Sequence, residues 1–407
     1  MRYRKSKWNM DLVYPNKSYG GVYSLGLLII ENIVNLRKDW FCKRVFSDSG
    51  KISSKLVGFS LQYELDLKKA ISMKCDGLNF AGGPLVSMNP EMIGKHFDFL
   101  LIGDVEENIV KVLKEYEKGE DKFLERISKF KGVYVAGKNK VSSAFVKNLD
   151  DYSYPVVQEY PEKVDKDFVF GKCFILEIER GCPYNCKFCP LNEFYEKFRY
   201  RSLESIKKLI DEGLEKNNVD KVVIYAASFA HPKRKEILKY LLDKKVRVTV
   251  PSLRAEVIDK ESLELIRKGG QESVTIAPES GERLRFSLNK KVKDEAYFKF
   301  IEMANEAGFK KLKVYMMIGL PNTKEKDLED FVEFTNKIKE KFNGQTYLSI
   351  NYLVPKPKTE FSEHVFDKKV LKSEAKYLKK ELKKIKVKFS SLSTAYKEWQ
   401  IIHGQLN

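Results

Sequence analysis

The chain carries the stretch CFILEIERGCPYNCKFCP at residues 173–190, in which an alternating, strand-like run leads directly into three closely spaced cysteines. The spacing of Cys182, Cys186 and Cys189 is CxxxCxxC. Three thiolates in one tight loop can hold three irons of a four-iron, four-sulfur (4Fe-4S) cluster and leave the fourth iron open to a small chelating ligand. The spacing therefore predicts an iron-sulfur site at the end of a strand.

Two other interpretations of these cysteines are a structural zinc site and three unrelated buried thiols. A closed zinc site needs a fourth protein ligand, and typical zinc fingers have paired CxxC or HxxxH spacing. The histidines of the chain lie far from the cysteines in sequence, at His96, His231, His364 and His403. We therefore favour the iron-sulfur cluster over zinc.

The composition is typical of an ordered, soluble protein with two or three domains. Of 407 residues, 43% are hydrophobic and 32% are charged. The chain has no run of about 18 apolar residues that could cross a membrane, and its amino terminus lacks the apolar stretch of a signal peptide. Six cysteines, three of them clustered, suit a reducing compartment where thiols serve metal binding. We expect a cytoplasmic protein with no membrane partner.

The formal net charge of +18 is compatible with a nucleic-acid partner. The lysine excess, however, is spread along amphipathic helices beside many Glu and Asp residues, a pattern also found in proteins from hot-living organisms. We therefore do not favour nucleic acid as the partner.

Residues 1–125 alternate short apolar strands with helices. Strands are predicted at 41–46, 56–61 and 99–102, and helices at 23–36, from 64 onward and at 106–116. This alternation predicts an α/β fold with an open, doubly wound, Rossmann-like parallel sheet, which binds ligands at the carboxyl ends of its strands. Gly82, Gly83 and Gly103 lie in strand-to-helix turns. A glycine in such a turn is often present only because the backbone conformation requires it.

Residues 126–168 are predicted to be a connector. The segment 132–139 approaches a phosphate-binding loop, but Asn139 stands where Ser or Thr is required and no helix follows. The alternation in 133–135 and 141–146 predicts a hairpin instead.

Residues 169–362 contain six strand-helix units, with strands predicted at 174–179, 222–226, 246–250, 274–277, 312–318 and 347–354. Six units predict a partial (β/α)6 barrel of TIM type, with function at the carboxyl ends of its strands. The cysteine loop follows the first of these strands. Residues 363–407 are predicted to be a helical extension, in which the lysines of the helix at 371–385 form a solvated face.

Short motifs accompany the cysteine loop in both halves of the chain. They are Tyr14–Tyr19, Ser24–Gly26, Gly58–Glu64, Ala81–Pro84 with Asn89-Pro90, Ile102–Glu107, Pro251–Arg254, Ala277–Arg285, Met317–Pro321 and Pro355–Thr359. Over nearly the whole chain this combination resembles the radical S-adenosylmethionine (SAM) superfamily, in particular its branch with an amino-terminal cobalamin-binding-like domain. It is similar to archaeal members of that branch, including those of methanogens.

The resemblance implies that SAM binds the open iron through its amino and carboxylate groups. Arg254 and Glu279, at the ends of the third and fourth strands, would grip the polar ends of SAM, unless they form an ion pair with each other. Phe188 would pack near the adenine or form an apolar lid over the cluster. The family's Gly-Gly-Glu is replaced here by Ala226-Ala227-Ser228. Further implied SAM contacts are Ala227, Ser228, Arg285, Met317 and Val354.

The resemblance also implies a cobalamin cleft in the first domain. The chain lacks Asp-x-His-x-x-Gly, so that motif supplies no histidine as lower cobalt ligand. A degenerate domain that kept the sheet and lost the ligand is the alternative. The implied lining residues are Tyr19, Ser60, Gln62, Gly82, Gly83 and Gly103.

These features together imply a cobalamin-dependent radical SAM methyltransferase that methylates an unactivated carbon through a 5'-deoxyadenosyl radical and methylcobalamin. The acceptor would be a small molecule or a protein side chain, such as a glutamine or arginine of methyl-coenzyme M reductase, and the electron donor a ferredoxin or flavodoxin.

Two alternatives to this function are a methylthiotransferase acting on transfer RNA and a non-catalytic cobalamin or SAM sensor. The methylthiotransferases carry three further cysteines in their first domain, where this chain has only Cys42 and Cys75. They also end in a small RNA-binding barrel, whereas the tail after Ser362 is predicted to be helical. A sensor would not need an intact cluster loop.

Overall fold

Six strands form the amino-terminal sheet of the computed structural model, which describes residues 6–161, 164 and 166–405. They are β1 (Trp8–Tyr14), β2 (Trp40–Phe46), β3 (Leu56–Ser60), β4 (Leu78–Gly82), β5 (Phe99–Leu101) and β6 (Val133–Tyr134). Their order is β2-β1-β3-β4-β5-β6, with β1 to β5 parallel and β6 antiparallel to β5. The predicted parallel sheet is therefore present. The turns after β3, β4 and β5 lie together at its carboxyl edge.

Helices connect these strands and cover both faces of the sheet. They are α1 (Ser18–Gly21), α2 (Leu25–Asn35), α3 (Asp66–Ser72), α4 (Pro84–Met88), α5 (Pro90–Gly94), α6 (Glu106–Tyr116) and α7 (Phe123–Ile127). Successive strand residues point to opposite faces, so Leu12 and Phe80 lie in one apolar core while Val13 and Ala81 lie in the other. Because both faces of the sheet are buried, the sequences of these strands are nearly continuous apolar runs.

The central strand β1 was not predicted from the sequence pattern. It contains Asp11, which is buried although strands of this type are usually apolar. Its Oδ2 accepts hydrogen bonds from the backbone amides of Ser53 (2.6 Å) and Ser54 (2.9 Å), and the Lys43 ammonium lies 3.8 Å from Oδ1. The tertiary partners of Asp11 lie about forty residues away, so the local pattern could not reveal them.

The structure differs from the predicted hairpin in the connector. β6 pairs with β5, and Ala144 makes a parallel bridge to Gly103. The amide of Ala144 donates to Ile102 (3.0 Å), and Ala144 accepts from Asp104 (2.7 Å). Both segments therefore bond to the edge of the existing sheet, because that edge offers unpaired backbone groups. A short 3-10 turn, Leu149–Asp151, follows.

Seven parallel strands build an open barrel in the second half of the chain. They are β7 (Phe174–Glu177), β10 (Lys221–Tyr225), β11 (Arg247–Thr249), β12 (Ser273–Glu279), β13 (Lys311–Ile318), β14 (Gln345–Tyr352) and β15 (Lys386–Phe389). Hydrogen bonds link β11-β10-β7 and β12-β13-β14-β15, and a bridge between Leu253 and Ile276 connects the two groups. The six predicted strands are present. The seventh, β15, lies in the carboxyl-terminal extension that we predicted to be helical.

The remaining elements of this half are a small hairpin and the barrel helices. The hairpin pairs β8 (Glu179–Arg180) with β9 (Arg199–Tyr200). The helices are α8 (Leu191–Phe194), α9 (Leu203–Asn217), α10 (Arg234–Asp243), α11 (Lys260–Lys268), α12 (Glu282–Ser287), α13 (Asp294–Glu306), α14 (Glu325–Lys341), α15 (Lys368–Glu381) and α16 (Leu392–Ile402).

The carboxyl-terminal segment joins the barrel to the amino-terminal sheet. The Lys356 ammonium lies 2.6 Å from a carboxylate oxygen of the buried Glu64, and Lys358 donates to the backbone oxygen of Ser87 (2.8 Å). At the end of α16, the Ile402 carbonyl accepts a hydrogen bond from Asn89 (3.1 Å). These contacts hold the two halves together on one side. None of the helices in the described part of the chain is both long and apolar enough to span a membrane.

Candidate active site between the sheet and the barrel

The cysteine loop lies at the carboxyl end of the first barrel strand. Gly181, with φ of 84°, turns the chain out of β8, and the Cys189 amide donates to the Cys186 carbonyl (3.0 Å) to close a turn. The residues after α12 anchor the loop. The Lys187 amide donates to the Leu288 carbonyl (3.0 Å), and the Asn289 side chain donates to the Asn185 carbonyl (2.6 Å). The loop is thus held by a segment about one hundred residues away.

The three thiols share one half-buried environment. Burial raises the pKa of Cys189 to about 11 and raises that of Cys182, while backbone hydrogen bonds partly oppose both shifts. The charge of Cys186 raises both pKa values further, which places the three groups close together. Metal binding must therefore displace protons from Cys182 and Cys189.

The described residues contain no group of three or more His, Cys, Asp or Glu side chains that converges on a single metal ion. A 4Fe-4S cluster takes each thiolate on a different iron, so its cysteine ligands need not converge on one point.

Ala227 and Ser228 follow β10 and lie beside this loop. Ala227 lines the cavity between sheet and barrel, and Ser228 is buried. The amide and hydroxyl of Ser228 donate to Glu179 Oε1 (3.2 and 3.1 Å). Ser228 also lies close to the Cys182 thiol, whose pKa is raised by burial. Ser228 therefore links Glu179 to the cysteine loop.

Arg254 lies against the cysteine loop, as predicted for a SAM contact. Its guanidinium stacks 3.6 Å from the ring centre of Tyr184, and its Nε lies 2.6 Å from a carboxylate oxygen of Glu256. The positive charge of Arg254 also lowers the pKa of Cys182 against the effect of burial. This cation is thus placed beside the candidate cluster.

Glu279 pairs with Lys290 rather than with Arg254. The Lys290 ammonium lies 3.0 Å from Glu279 Oε1. Glu279 sits at a register shift of β12 with φ of 71°, an uncommon conformation for a residue with a side chain. Its charge raises the pKa of Cys189, so it lies near the loop. The alternative to the predicted SAM contacts, an ion pair between Arg254 and Glu279, is not formed.

Phe188 and Met317 belong to one apolar cluster beside the cysteine loop. Both are half-buried and pack against the buried side chains Leu284, Leu288, Leu320 and Leu353. The cluster supplies an apolar wall next to the cysteines, which agrees with either prediction made for Phe188.

The structure gives Arg285 and Val354 structural positions instead of the predicted SAM contacts. Arg285 is fully buried and donates to the backbone carbonyls of Pro278 (3.1 Å), Val292 (2.7 Å) and Ser280 (2.8 Å). Its guanidinium is also paired with Asp294 (2.8 Å), so it is held among these groups. Val354 packs in a separate apolar cluster with Phe366, Leu371 and Ala395. Both residues stand in strand-end motifs, and only tertiary packing separates them from the site.

Replacing Arg285 with Met should destabilise the protein by at least about 3 kcal/mol, because three buried carbonyls and Asp294 (2.8 Å) lose their donor. Urea unfolding of the cluster-free protein measures this change in the free energy of unfolding. Arg247 pairs with Asp220 in solvent, so Arg247→Met should change the stability by less than about 1 kcal/mol. An Arg285→Met variant as stable as the wild type would contradict the structural role.

A cavity of about 540 Å³ separates the sheet from the barrel. Five of the six residues predicted for cobalamin line it, namely Ser60, Gln62, Gly82, Gly83 and Gly103, and the sixth, Tyr19, is exposed and does not. The facing wall comes from the barrel and includes Glu177, Glu179, Arg180, Gly181, Ala226, Ala227 and Pro251. One space therefore borders both the strand-to-helix turns of the sheet and the start of the cysteine loop.

The glycines of the cavity wall differ in whether a larger residue could replace them. Gly83 has φ of 109°, and a Cβ there would lie 2.7 Å from the Leu61 carbonyl oxygen, so the backbone itself requires glycine. A Cβ on Gly103 would lie 2.2 Å from the Ala144 carbonyl oxygen. Gly26, in the first turn of α2, has open space where its Cβ would be. Of these three, only Gly26 could carry a side chain into the cavity.

A buried ionic network joins the two walls. Arg180 contacts Asp104 (2.9 Å) and Glu106 (2.8 Å) from the sheet, and Glu177 (2.8 Å) from the barrel. Burial raises the pKa of Glu177, but Arg180 and Arg201 outweigh this effect and hold the pKa below its usual value. This network was not predicted from the sequence, although Glu177, Glu179 and Arg180 in the apolar run at 174–180 were a signal of buried partners.

Comparison with known proteins identifies the family. Residues 176–335 match the model of the Radical SAM superfamily, and residues 52–136 match the model of Radical SAM proteins, N-terminal. The chain belongs to the radical SAM superfamily. This radical SAM protein is 30% identical to the uncharacterized protein MJ0966 of Methanocaldococcus jannaschii, over 98% of this chain and 89% of the relative. It is also 22% identical to the uncharacterized methyltransferase PH0819 of Pyrococcus horikoshii, over 80% of this chain and 73% of that one.

A solved structure shares the fold of this radical SAM protein. It is the radical S-adenosylmethionine methyltransferase TsrM from Kitasatospora setae, with cobalamin and a 4Fe-4S cluster bound. The TM-score is 0.68 at 13% identity, over 88% of this chain and 74% of TsrM. At this identity the similarity establishes the arrangement of the parallel-sheet domain and the radical SAM domain.

Proposed function

We propose that this protein is a cobalamin-dependent radical SAM methyltransferase that acts on an unactivated carbon. The observation that carries the proposal is the cavity of about 540 Å³ between sheet and barrel. One wall consists of the turns predicted for cobalamin, and the other includes the strand ends next to the cysteine loop. A methyl donor on one wall would face a radical source on the other across a single space.

The donor set of the loop fits a 4Fe-4S cluster with Cys182, Cys186 and Cys189 as ligands. Three thiols lie close together in one loop, and one thiolate on each of three irons leaves the fourth iron for SAM. When bound, the cluster and SAM supply a 5'-deoxyadenosyl radical and cobalamin supplies the methyl group. The protein itself has to bind, orient and shield these groups.

Arg254 is the best placed of the predicted SAM contacts. Its guanidinium lies on Tyr184 within the cysteine loop and is suited to a carboxylate such as that of SAM. Phe188 and Met317 would supply an apolar wall that excludes water from the same region. The guanidinium of Arg285 donates to three backbone carbonyls, so we assign it no contact with SAM.

The cavity supports cobalamin on its sheet side. Small residues and backbone form the turns there, and the TsrM structure of the same fold holds cobalamin together with its cluster. Histidine is absent from the described residues that line the cavity. We therefore expect cobalt without a histidine ligand. The finer prediction of a side chain of methyl-coenzyme M reductase as acceptor stays a prediction, because no observation made on the structure supports it.

Anaerobically reconstituted protein should retain cobalamin after gel filtration and, with SAM and a strong reductant, release both S-adenosylhomocysteine and 5'-deoxyadenosine. The first product reports methyl transfer from SAM to cobalamin and the second reports reductive cleavage of SAM. Cobalamin-free protein is the control, and it should form 5'-deoxyadenosine alone. Protein that binds no cobalamin, or that forms S-adenosylhomocysteine equally well without it, would refute the methyltransferase.

A further inference from the structure

Glu179 carries a buried carboxylate whose charge is unbalanced in the described part of the chain. The residue is 2% exposed, lies three positions before Cys182 and contributes to the cavity wall. The other carboxylates of the wall, on Asp104, Glu106 and Glu177, all pair with Arg180. Glu179 forms no ion pair with any described residue. A buried anion without a counter-charge is unfavourable unless a ligand supplies one.

The two oxygens of this carboxylate have different surroundings. Oε1 accepts hydrogen bonds from the Ser228 amide (3.2 Å), the Ser228 hydroxyl (3.1 Å) and the Ala230 amide (3.2 Å). Oε2 is buried and accepts no hydrogen bond in the region that the structure describes. The hydrogen bonds from Ser228 and Ala230 that anchor the segment after β10 all go to Oε1. Oε2 is therefore available for a donor that enters from the cavity.

The position of Glu179 restricts the chemistry of that donor. Ser228, which is bonded to Oε1, also interacts with the Cys182 thiol, so the carboxylate stands beside the candidate cluster. The segment Ala226-Ala227-Ser228 at the end of β10 contributes no acidic side chain to this region. On the proposed function, the ligand that reaches the cluster is SAM, which carries N–H donors on its amino group.

We propose that Glu179 binds the amino group of SAM through Oε2 and so positions SAM at the cluster. This inference rests on the proposed SAM-binding function. Glu179 acts as a binding and positioning residue, with Oε1 held by the segment after β10 and Oε2 directed to the ligand. The counter-charge that the described residues do not supply would then come from the ligand side of the cavity.

The test compares SAM binding by the cluster-loaded wild type and Glu179→Gln in anaerobic equilibrium dialysis. The dissociation constant for SAM should rise about 10- to 100-fold, because a hydrogen bond to a charged group is lost. Binding of 5'-methylthioadenosine, which lacks the amino acid portion, should change less than about twofold. Glu374→Gln is the matched control, since Glu374 is also buried and accepts a backbone hydrogen bond, from Gly319 (2.8 Å), away from the cavity. It should bind SAM like the wild type.

Unchanged SAM affinity in Glu179→Gln overturns the inference and leaves the proposed function intact. An equal loss for SAM and 5'-methylthioadenosine, or a loss of iron, also overturns it, because Glu179 would then only support the fold. If Glu179→Gln does not fold, Glu179→Asp is the second variant, because it keeps the charge and shortens the side chain by one methylene. It should still weaken the binding of SAM more than the binding of 5'-methylthioadenosine. A cluster-loaded wild type that binds no SAM would refute the proposed function itself.

Discussion

The Cys186→Ala variant should release no 5'-deoxyadenosine above background and should hold fewer irons than the roughly four per chain expected of the wild type. Loss of one of three thiolates leaves an iron without its protein ligand, so the cluster is incomplete. Cys186 is the middle cysteine of the loop, and its charge raises the pKa of both other thiols. Iron analysis and chromatography of the products after anaerobic reduction with SAM measure the two effects.

Cys75→Ala is the matched control for this experiment. The Cys75 thiol is also partly buried, but it lies in the amino-terminal domain and contacts the Ser54 carbonyl oxygen (3.8 Å). Its removal should leave both iron content and SAM cleavage unchanged. Cleavage at the wild-type rate in Cys186→Ala would show that the CxxxCxxC loop is not the cluster site.

The Gly26→Phe variant should lose cobalamin completely while it keeps the cluster and SAM cleavage. Gly26 lines the cavity from the first turn of α2, and its Cβ would meet no other atom within 4 Å, so the ring can enter the cavity without a clash in the fold. The ring would occupy space that the corrin needs. Absorption spectra after anaerobic loading and gel filtration measure the bound cobalamin, and the cluster absorption is read in the same sample.

Gly20→Phe is the matched control, because Gly20 is also a helical glycine with open space around it and does not line the cavity. It should retain cobalamin at the wild-type level. Gly83 is a poorer choice, since its φ of 109° makes any side chain a source of strain in the sheet. Full cobalamin retention in Gly26→Phe would place the cofactor outside this cavity.

Part of the site could be predicted from the sequence and part could not. The turns at Ser60, Gln62, Gly82, Gly83 and Gly103 were predicted to meet, and they do line one cavity. They meet because parallel strands bring all their carboxyl ends to one edge. Tyr19 lies in the short helix α1, is exposed, and does not stand at the carboxyl end of a sheet strand.

The contacts of long charged side chains were harder to predict from the sequence. Arg254 was predicted as a SAM contact at a strand end, with an ion pair to Glu279 as the alternative. Its guanidinium stacks on Tyr184 of the cysteine loop, and its carboxylate partner is Glu256. Arg285 stands in a strand-end motif, but its guanidinium turns inward to three backbone carbonyls. Such side chains have several rotamers, and packing and available acceptors select one of them.

The sequence by itself determined the cysteine loop, the alternation of strands and helices, and hence two parallel-sheet domains with sites at strand ends. These features are local, because spacing and apolar periodicity act within a few residues. Only the tertiary structure decided that β15 joins the barrel sheet and that Arg180 bridges both domains. It also decided that Glu179 lines the cavity without a counter-charge from any residue that the structure describes. Those outcomes depend on burial and on partners tens of residues away, which no local pattern contains.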